Sequence, residues 1–136
     1  MRFRFSYTST VPSVLIVDDD PVIQLLLRVN FEMDGFEVST ADDGEQGLEA
    51  ARRQHPDLVL LDVMMPKLDG YQVLAALRES SDTKDLPVVL LSAKSLDEDK
   101  RAGLDAGANA YITKPFDPIR LLAEVKGLVR PPGSPS

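Results

Sequence analysis

Four short apolar runs of this sequence are each followed closely by a side chain that can bind phosphate or a metal ion. Three consecutive aspartates follow VLIV, Asp62 follows LVLL, Ser92 follows VVLL, and Lys114 comes two residues after AYI. Each residue alone indicates little, because aspartate and serine are common turn residues at the end of a strand. Together they place acids, a hydroxyl and an ammonium group at four run ends, and that set predicts phosphate or metal chemistry.

The three consecutive aspartates have different predicted roles. Asp20 directly precedes a proline, the residue best suited to the first helical position, so Asp20 is predicted to cap a helix. Asp18 and Asp19 remain at the end of the strand, where they repel each other unless a cation joins them. With Asp62 they form a set of hard oxygen ligands, which Mg²⁺ prefers. Met64 would add only its backbone carbonyl, because a thioether is too soft a ligand for Mg²⁺.

The reaction that these residues suit is the acceptance of a phosphoryl group by Asp62. A carboxylate is ionised at neutral pH, so it can attack phosphorus without a general base once the neighbouring negative charge is neutralised. Mg²⁺ and Lys114 would supply that neutralisation. Because positioning and electrostatics account for most catalysis of phosphoryl transfer, one acid, one metal ion and one lysine are sufficient.

The apolar runs predict the strands that position these residues. They span residues 14–17, 58–61, 88–91 and 110–112, with a weaker strand at 36–39. Continuous apolar runs are typical of strands buried on both faces, which occur in parallel sheets covered by helices. The predicted fold class is therefore α/β, doubly wound, and such sheets bind ligands at the carboxyl ends of their strands.

Amphipathic helices are predicted between and after the strands. Their ranges are 21–33, 44–54, 70–80, 96–106 and 118–129. The apolar stripe of the first helix is assigned to Val22, Leu25, Leu26 and Val29. The residues of the last helix that are expected to face inward are Ile119, Leu122, Val125 and Val129.

The fourth helix differs from the others because it has little to bury. It offers mainly Leu96, Ala102 and Leu104 for packing, carries a dense charged face, and is expected to end at Gly107 in a left-handed cap. An element of this kind belongs to the less stable parts of a fold. Both a short surface helix and a movable functional element remain open.

Composition and charge exclude several classes of function. The chain has 136 residues, enough for one domain, and it lacks cysteine, which excludes disulfides, zinc–thiolate sites and thiol nucleophiles. The net charge of −7 argues against direct binding of nucleic acid or of an anionic membrane. No membrane span or secretory signal is present in this sequence, so we expect a cytoplasmic protein. Residues 1–12 are predicted to form a flexible arm, 13–130 the folded domain and 131–136 a disordered tail.

Four segments carry a resemblance to a known family. In chain order they are VLIVDDDP, LLDVMMPKLDG, VVLLSAKS and YITKPF. They resemble the signature segments of the response-regulator receiver domain of bacterial two-component systems, the type of domain that chemotaxis regulators contain. The resemblance implies a flavodoxin-like sheet of five parallel strands in the order 2-1-3-4-5, flanked by five helices.

The resemblance also implies roles for the residues around the acids. Asp62 would be the phosphoacceptor, and Asp19 a direct Mg²⁺ ligand. Asp18 would act on the metal through water, and the Met64 carbonyl would complete the protein's ligands. Lys114 would pair with the phosphoryl group, and the peptide bond that follows it resembles the cis peptide of the family.

Further positions match the family's switch and its access route. Ser92 would hydrogen-bond the phosphoryl group, and Tyr111 is the aromatic residue whose rotamer would follow that hydroxyl. Ala93 is the small residue that would leave the site open. Met64 and Lys94 would flank the path of the water that hydrolyses the phosphoryl group. The helix 4, strand 5, helix 5 face would then be the surface that a target reads.

Partners follow from the same resemblance. A receiver takes its phosphoryl group from a sensor histidine kinase or a histidine phosphotransfer protein, and it signals to a downstream protein. His55, the one histidine, lies in a turn that ends a helix and is interpreted as a solvated residue. Receivers of transcription factors carry an acidic pair before the tyrosine that helps them dimerise, whereas Asn109 and Ala110 occupy these positions here. We therefore expect a monomer, or a weak dimer that depends on phosphorylation.

Three alternatives remain open. A phosphohydrolase of the haloacid-dehalogenase type would use Asp18 and Asp20 in its first motif, although a helix begins at once and no acid pair follows Lys114. The chain could instead be a receiver-like interaction module that is not phosphorylated, although its set of acids, hydroxyl and lysine is complete. It could also be the receiver portion of a transcription factor. The favoured prediction is a signalling receiver, not an enzyme that turns over other substrates.

Overall fold

The computed structural model describes residues 11–129, which form alternating strands and helices. The strands are β1 (Ser13–Val17), β2 (Glu37–Ala41), β3 (Leu58–Asp62), β4 (Val88–Ser92) and β5 (Ala110–Thr113). The helices are α1 (Pro21–Met33), α2 (Gly44–Gln54), α3 (Gly70–Glu79), α4 (Asp97–Asp105) and α5 (Pro118–Val125). A short 3₁₀ turn, Lys126–Leu128, follows α5, so the last helix is shorter than predicted. Most of the predicted arm and all of the predicted tail lie outside the described residues.

The five strands form one parallel sheet in the order β2-β1-β3-β4-β5, which confirms the predicted fold class and strand order. The order reverses between β1 and β3, so a crevice opens there at the carboxyl edge of the sheet. In the register of these two strands Val17 pairs with Leu61. Asp18, the next residue along, and Asp62 therefore leave the sheet side by side.

Side chains alternate along each buried strand and fill two cores, one on each face of the sheet. The core beneath α2 and α3 contains Leu15, Leu61 and Leu90. The core beneath α1 and α5 contains Ile16, Leu60 and further side chains of β4, β5 and the two helices. Burial on both faces explains why the strands are continuous apolar runs instead of alternating ones.

The prediction of which side of α1 faces the core was wrong. The helix packs on the sheet through Leu27 and Phe31, which are fully buried, and the ring of Phe31 meets Phe36 edge to face at 5.0 Å. The four residues assigned to the stripe are instead exposed, Val22 to 70% and Leu25 to 61%. Because α1 is apolar on more than one side, its sequence did not reveal which side faces the core.

The assignments in α5 and α4 also need correction. Ile119 is 69% exposed, and Leu121 takes the buried position beside Val125. Leu96, just before α4, and Ala102 and Leu104 within it are all exposed, although they were expected to pack, and the buried residue of the helix is Gly103. The predicted end of α4 is confirmed, since Gly107 has a positive φ of 110°.

Candidate functional site

Three carboxylates converge at the crevice between β1 and β3. Asp18 is fully buried, Asp62 is 4% exposed, and Asp19 is open to solvent. One carboxylate oxygen of each lies within 4.8 Å of those of the other two. This all-oxygen set with one solvent-facing member suits a hard divalent cation that keeps some of its water.

Lys114, which follows β5, reaches across the same crevice. Its Nζ lies 3.0 Å from Asp18 Oδ2 and 3.2 Å from Asp62 Oδ1. Burial alone would lower the pKa of Lys114, but the hydrogen bonds and charges of the two aspartates outweigh it and raise the pKa above its ordinary value. The lysine is therefore charged at neutral pH and already stands between the two acids.

The charge of Asp62 is poorly stabilised by its surroundings. Burial, and then the negative charge of Asp18, raise the pKa of Asp62 to about 6, although Lys114 and the Met64 amide oppose the rise. A bound cation would relieve this repulsion. The site therefore holds unfavourable negative charge that a cation can neutralise.

The loop after β1 is fixed by two kinds of hydrogen bond. Asp20 caps α1 as predicted, its Oδ1 accepting from the Val22 amide at 2.9 Å, while Asp18 Oδ1 accepts from the Asp20 amide. Sequence reasoning missed Gln24, whose Nε2 donates to the Asp18 carbonyl at 2.6 Å and to the Ala41 carbonyl at 3.2 Å. A single glutamine within a helix carries no pattern that would predict such a clamp.

The loop after β3 turns tightly beneath Asp62. The Met64 amide donates to Asp62 Oδ1 at 3.4 Å, and the Gly70 amide donates to the Val63 carbonyl at 2.8 Å. A Cβ atom at position 70 would lie only 2.5 Å from the Asp62 carbonyl oxygen, so only glycine fits there. The side chain of Met64 is 67% exposed at the rim of the site.

The remaining predicted residues lie at the end of β4 and on β5. Ser92 is buried, and its Oγ accepts from the Lys94 amide at 3.1 Å. Ala93 and Lys94 are exposed beside it. The Tyr111 hydroxyl donates to the Lys94 carbonyl at 2.8 Å and not to Ser92. The peptide bond between Lys114 and Pro115 is cis, as the resemblance implied.

Comparison with known proteins decides the family. The family model of the response regulator receiver domain matches residues 14–126. The chain belongs to the response regulator receiver family. It is part of a signalling family and not of a classical enzyme family, which decides against the phosphohydrolase alternative.

Curated relatives of this receiver domain are transcriptional regulators. The DNA-binding dual master transcriptional regulator RpaA of Synechocystis is 46% identical over 120 residues, covering 88% of this chain and 50% of that protein. The alkaline phosphatase synthesis transcriptional regulatory protein PhoP of Bacillus subtilis is 45% identical over 117 residues, covering 86% and 48%. The chain thus spans about half the length of these relatives.

Solved structures with the same fold include single receiver domains. The chemotaxis response regulator CheY4 of Vibrio cholerae has a TM-score of 0.83 and 32% identity, covering 88% of this chain and all of that one. The receiver domain of Francisella response regulator 1452 has a TM-score of 0.82 and 37% identity, covering 86% and 95%. A CheX-CheY-BeF3-Mg²⁺ complex from Borrelia burgdorferi matches with a TM-score of 0.81 and 31% identity, covering 91% and 95%.

None of the helices within residues 11–129 is long and apolar enough to cross a membrane.

Proposed function

We propose that this receiver accepts a phosphoryl group on Asp62 from the phosphohistidine of a sensor histidine kinase or a histidine phosphotransfer protein. The observation that carries the proposal is the bridge of Lys114 Nζ between Asp18 and Asp62, beside a cluster of three carboxylates. The transfer forms a bond between a carboxylate oxygen of Asp62 and phosphorus. The phosphorus–nitrogen bond of the donor breaks, and the imidazole nitrogen keeps the electron pair.

Mg²⁺ is the cofactor that we propose for this site. Asp18, Asp19, Asp62 and the Met64 carbonyl would hold it, with Asp18 acting through water, because all of these ligands offer oxygen. Bound Mg²⁺ supplies positive charge to the phosphoryl oxygens. Lys114 would add a second positive charge from the β5 side and hold the phosphoryl group close to Asp62.

Helix α1 offers a protein donor an apolar surface close to this site. The exposed apolar residues of α1 begin at Val22, three residues after Asp19, and continue away from the site through Leu26 and Val29 to Met33, which is 83% exposed. Their spacing of four, three and four residues lines one side of the helix, as in helices that pack against a partner helix. We therefore propose that the donor binds α1 through apolar contacts, and we name these residues with Leu25 the α1 stripe.

Phosphorylation would act on the other side of the site, through Ser92 and Tyr111. Phosphoryl oxygens accept hydrogen bonds, so they would draw the Ser92 hydroxyl away from the Lys94 amide. The space that this frees would let Tyr111 turn further inward from the position in which it packs against the core and donates to the Lys94 carbonyl. The face of α4, β5 and α5 would change, and a downstream protein or an attached output domain would read the change.

The lifetime of the phosphoryl group would depend on Met64 and Lys94. Both lie at the exposed rim of the site, where an attacking water would pass. Met64 is apolar and cannot orient that water, so we propose slow hydrolysis. A Met64→Asn variant should lose its phosphoryl group faster than wild type, whereas an unchanged rate would remove this part of the proposal.

Mass spectrometry tests the proposed reaction. Incubation with Mg²⁺ and a small acyl phosphate should add one phosphoryl group to the wild-type protein and none to Asp62→Asn. The matched control is Asp69→Asn, which changes the acid that caps helix α3 and should gain one phosphoryl group like wild type. A mass gain that survives in Asp62→Asn would refute the assignment of the acceptor. Absence of any gain, with either an acyl phosphate or a phosphohistidine donor, would support the alternative of an interaction module that is not phosphorylated.

A further inference from the structure

Helix α4 is attached to the domain in an unusual way, because its buried residue has no side chain. Across its nine residues, all of which the structure describes, Gly103 is the buried one. The exposed fractions of Leu96, just before the helix, and Leu104 are 60% and 49%. The apolar side chains of α4 therefore do little to hold it on the sheet.

Gly103 lies directly against the ring of Tyr111. A Cβ atom at position 103 would be 2.6 Å from Cδ2 and 3.2 Å from Cε2 of that ring, and 3.2 Å from Cδ1 of Leu90. Carbon atoms that are not bonded pack at about 3.5–4.0 Å, so even a methyl group does not fit unless the ring moves. The absence of a side chain at Gly103 forms a seat for Tyr111.

A glycine in this position is not explained by helix formation. Glycine disfavours the interior of a helix, where alanine is the best residue. The φ angle of Gly103 is helical, so no turn requires glycine there, unlike Gly107 with its positive φ. The close approach of the tyrosine ring is the feature of the structure that requires it.

Tyr111 also holds the segment that leads into α4. Its hydroxyl donates to the Lys94 carbonyl at 2.8 Å, so one side chain contacts both the loop before the helix and the middle of the helix. The two contacts are made by different parts of tyrosine, the hydroxyl and the ring edge. Removing the ring should therefore affect α4 more than removing the hydroxyl alone.

We propose that Gly103 is a positioning residue of the switch: it provides the seat through which Tyr111 holds α4 on the domain. Resting on the proposed function, this means that a turn of the Tyr111 ring away from Gly103 removes the contact between the ring and the buried residue of α4. The helix is then free to shift or to loosen. A partner that reads α4 would in this way sense the position of one tyrosine ring.

A double-mutant cycle in the unphosphorylated protein tests the seat. Gly103→Ala should lower Tm in the wild-type background, because the methyl group displaces the Tyr111 ring. In a Tyr111→Ala background only Leu90 Cδ1, the end of a flexible side chain, remains at 3.2 Å, so the same change should raise Tm by up to about 4 °C, the gain expected from replacing glycine by alanine in a helix. A rise of Tm in both backgrounds would overturn the proposal.

Ala102→Gly is the matched control, because it makes the opposite change at the preceding, exposed position of the same helix. It should lower Tm by about 4 °C in both backgrounds. A change of sign for Ala102→Gly between the backgrounds would show that Tyr111→Ala alters helix α4 as a whole, so that the result at Gly103 does not report the seat, and would also overturn the proposal.

Hydrogen exchange gives a second measurement that does not depend on Gly103→Ala folding. Amides of residues 100–105 should exchange at least about tenfold faster in Tyr111→Ala than in wild type, with a smaller change in Tyr111→Phe. Equal protection of α4 in all three proteins would contradict the proposal. Because neither measurement uses phosphorylation, a failure of the seat is distinguishable from a failure of phosphoryl transfer, which the mass gain of Gly103→Ala reports separately.

Discussion

Helices α1 and α4 flank the same site but are built in opposite ways. Helix α1 has thirteen residues, is anchored by two large buried side chains, Leu27 and Phe31, and shows an apolar face to solvent. Helix α4 has nine residues, buries one glycine, and carries three acids in its first turn. A firmly anchored helix suits the binding of a donor, whereas a weakly held one suits a response that must change shape. The difference between the two helices therefore supports the proposed division between an input side at α1 and an output side at α4.

The largest effect expected from this difference is on stability. Phe31→Ala should lower the free energy of unfolding by about 3–5 kcal/mol, because it removes a fully buried ring. Leu104→Ala on α4 should change it by less than about 0.5 kcal/mol, because that side chain is half exposed. Urea unfolding of both variants measures the two changes in the free energy of unfolding. Similar losses in the two would contradict the assignment of α4 as the weakly held helix.

A smaller effect concerns the charge stored at the site between the two helices. Burial raises the pKa of Asp62 to about 6, so in metal-free buffer the folded state keeps a proton that the unfolded chain releases near pH 4. The free energy of unfolding should therefore fall as pH rises from about 4 to about 6, by about 3 kcal/mol at most, and stay level above that range.

The difference between wild type and Asp62→Asn isolates this effect from other titrating groups. Wild type should lose stability relative to the variant across that pH range, and Mg²⁺ should restore stability to wild type at pH 7 more than to the variant. A constant difference between the two proteins from pH 4 to pH 7 would show that the carboxylate is not destabilised.

The exposed apolar face of α1 can be tested by phosphotransfer. Leu25→Ser should slow transfer from a histidine donor by about tenfold at limiting receiver, the equivalent of about 1.4 kcal/mol of lost binding. Transfer from a small acyl phosphate should be unchanged, because that donor does not contact α1. Leu104→Ser is the matched control on α4 and should leave both rates unchanged. Equal slowing by the two variants would remove α1 as the specific donor surface.

The smallest effect expected is that of salt on donor binding. The five residues of the α1 stripe are uncharged. Raising the salt concentration from about 0.05 M to about 0.5 M should therefore change the rate of phosphoryl transfer from the donor only about twofold. Kinetics at several ionic strengths measure this. A steep decline with salt would show that charges, and not the apolar stripe, dominate recognition.

The sheet and its acids could be predicted from the sequence because their signals are local. Continuous apolar runs indicated buried parallel strands, and polar residues directly after them indicated the site, so Asp18, Asp62 and Lys114 lie together as expected. The side of α1 that packs inward could not be predicted, because both sides are apolar. Phe31 is buried among side chains of other elements and contacts Phe36, which lies beyond the helix.

The sequence did not reveal the importance of two residues, because one contacts backbone carbonyls and the other contacts a side chain of a distant element. Gln24 clamps the loop after β1 by donating to two carbonyls from different segments, which no periodic pattern encodes. The role that we propose for Gly103 rests on its lack of a side chain and on its approach to Tyr111, which lies on another element. Contacts between distant segments decide such roles, so only the folded structure identifies them.

The most direct test of the account is a map of amide chemical shifts before and after phosphorylation. After Mg²⁺ and an acyl phosphate have added one phosphoryl group, large shifts should appear near Asp62 and throughout residues 94–112, while residues 25–33 of α1 should stay unchanged. In Ser92→Ala, which should still accept phosphate, the shifts over 94–112 should be smaller. Shifts confined to the neighbourhood of Asp62, or equally large ones in α1, would contradict the division between input and output sides.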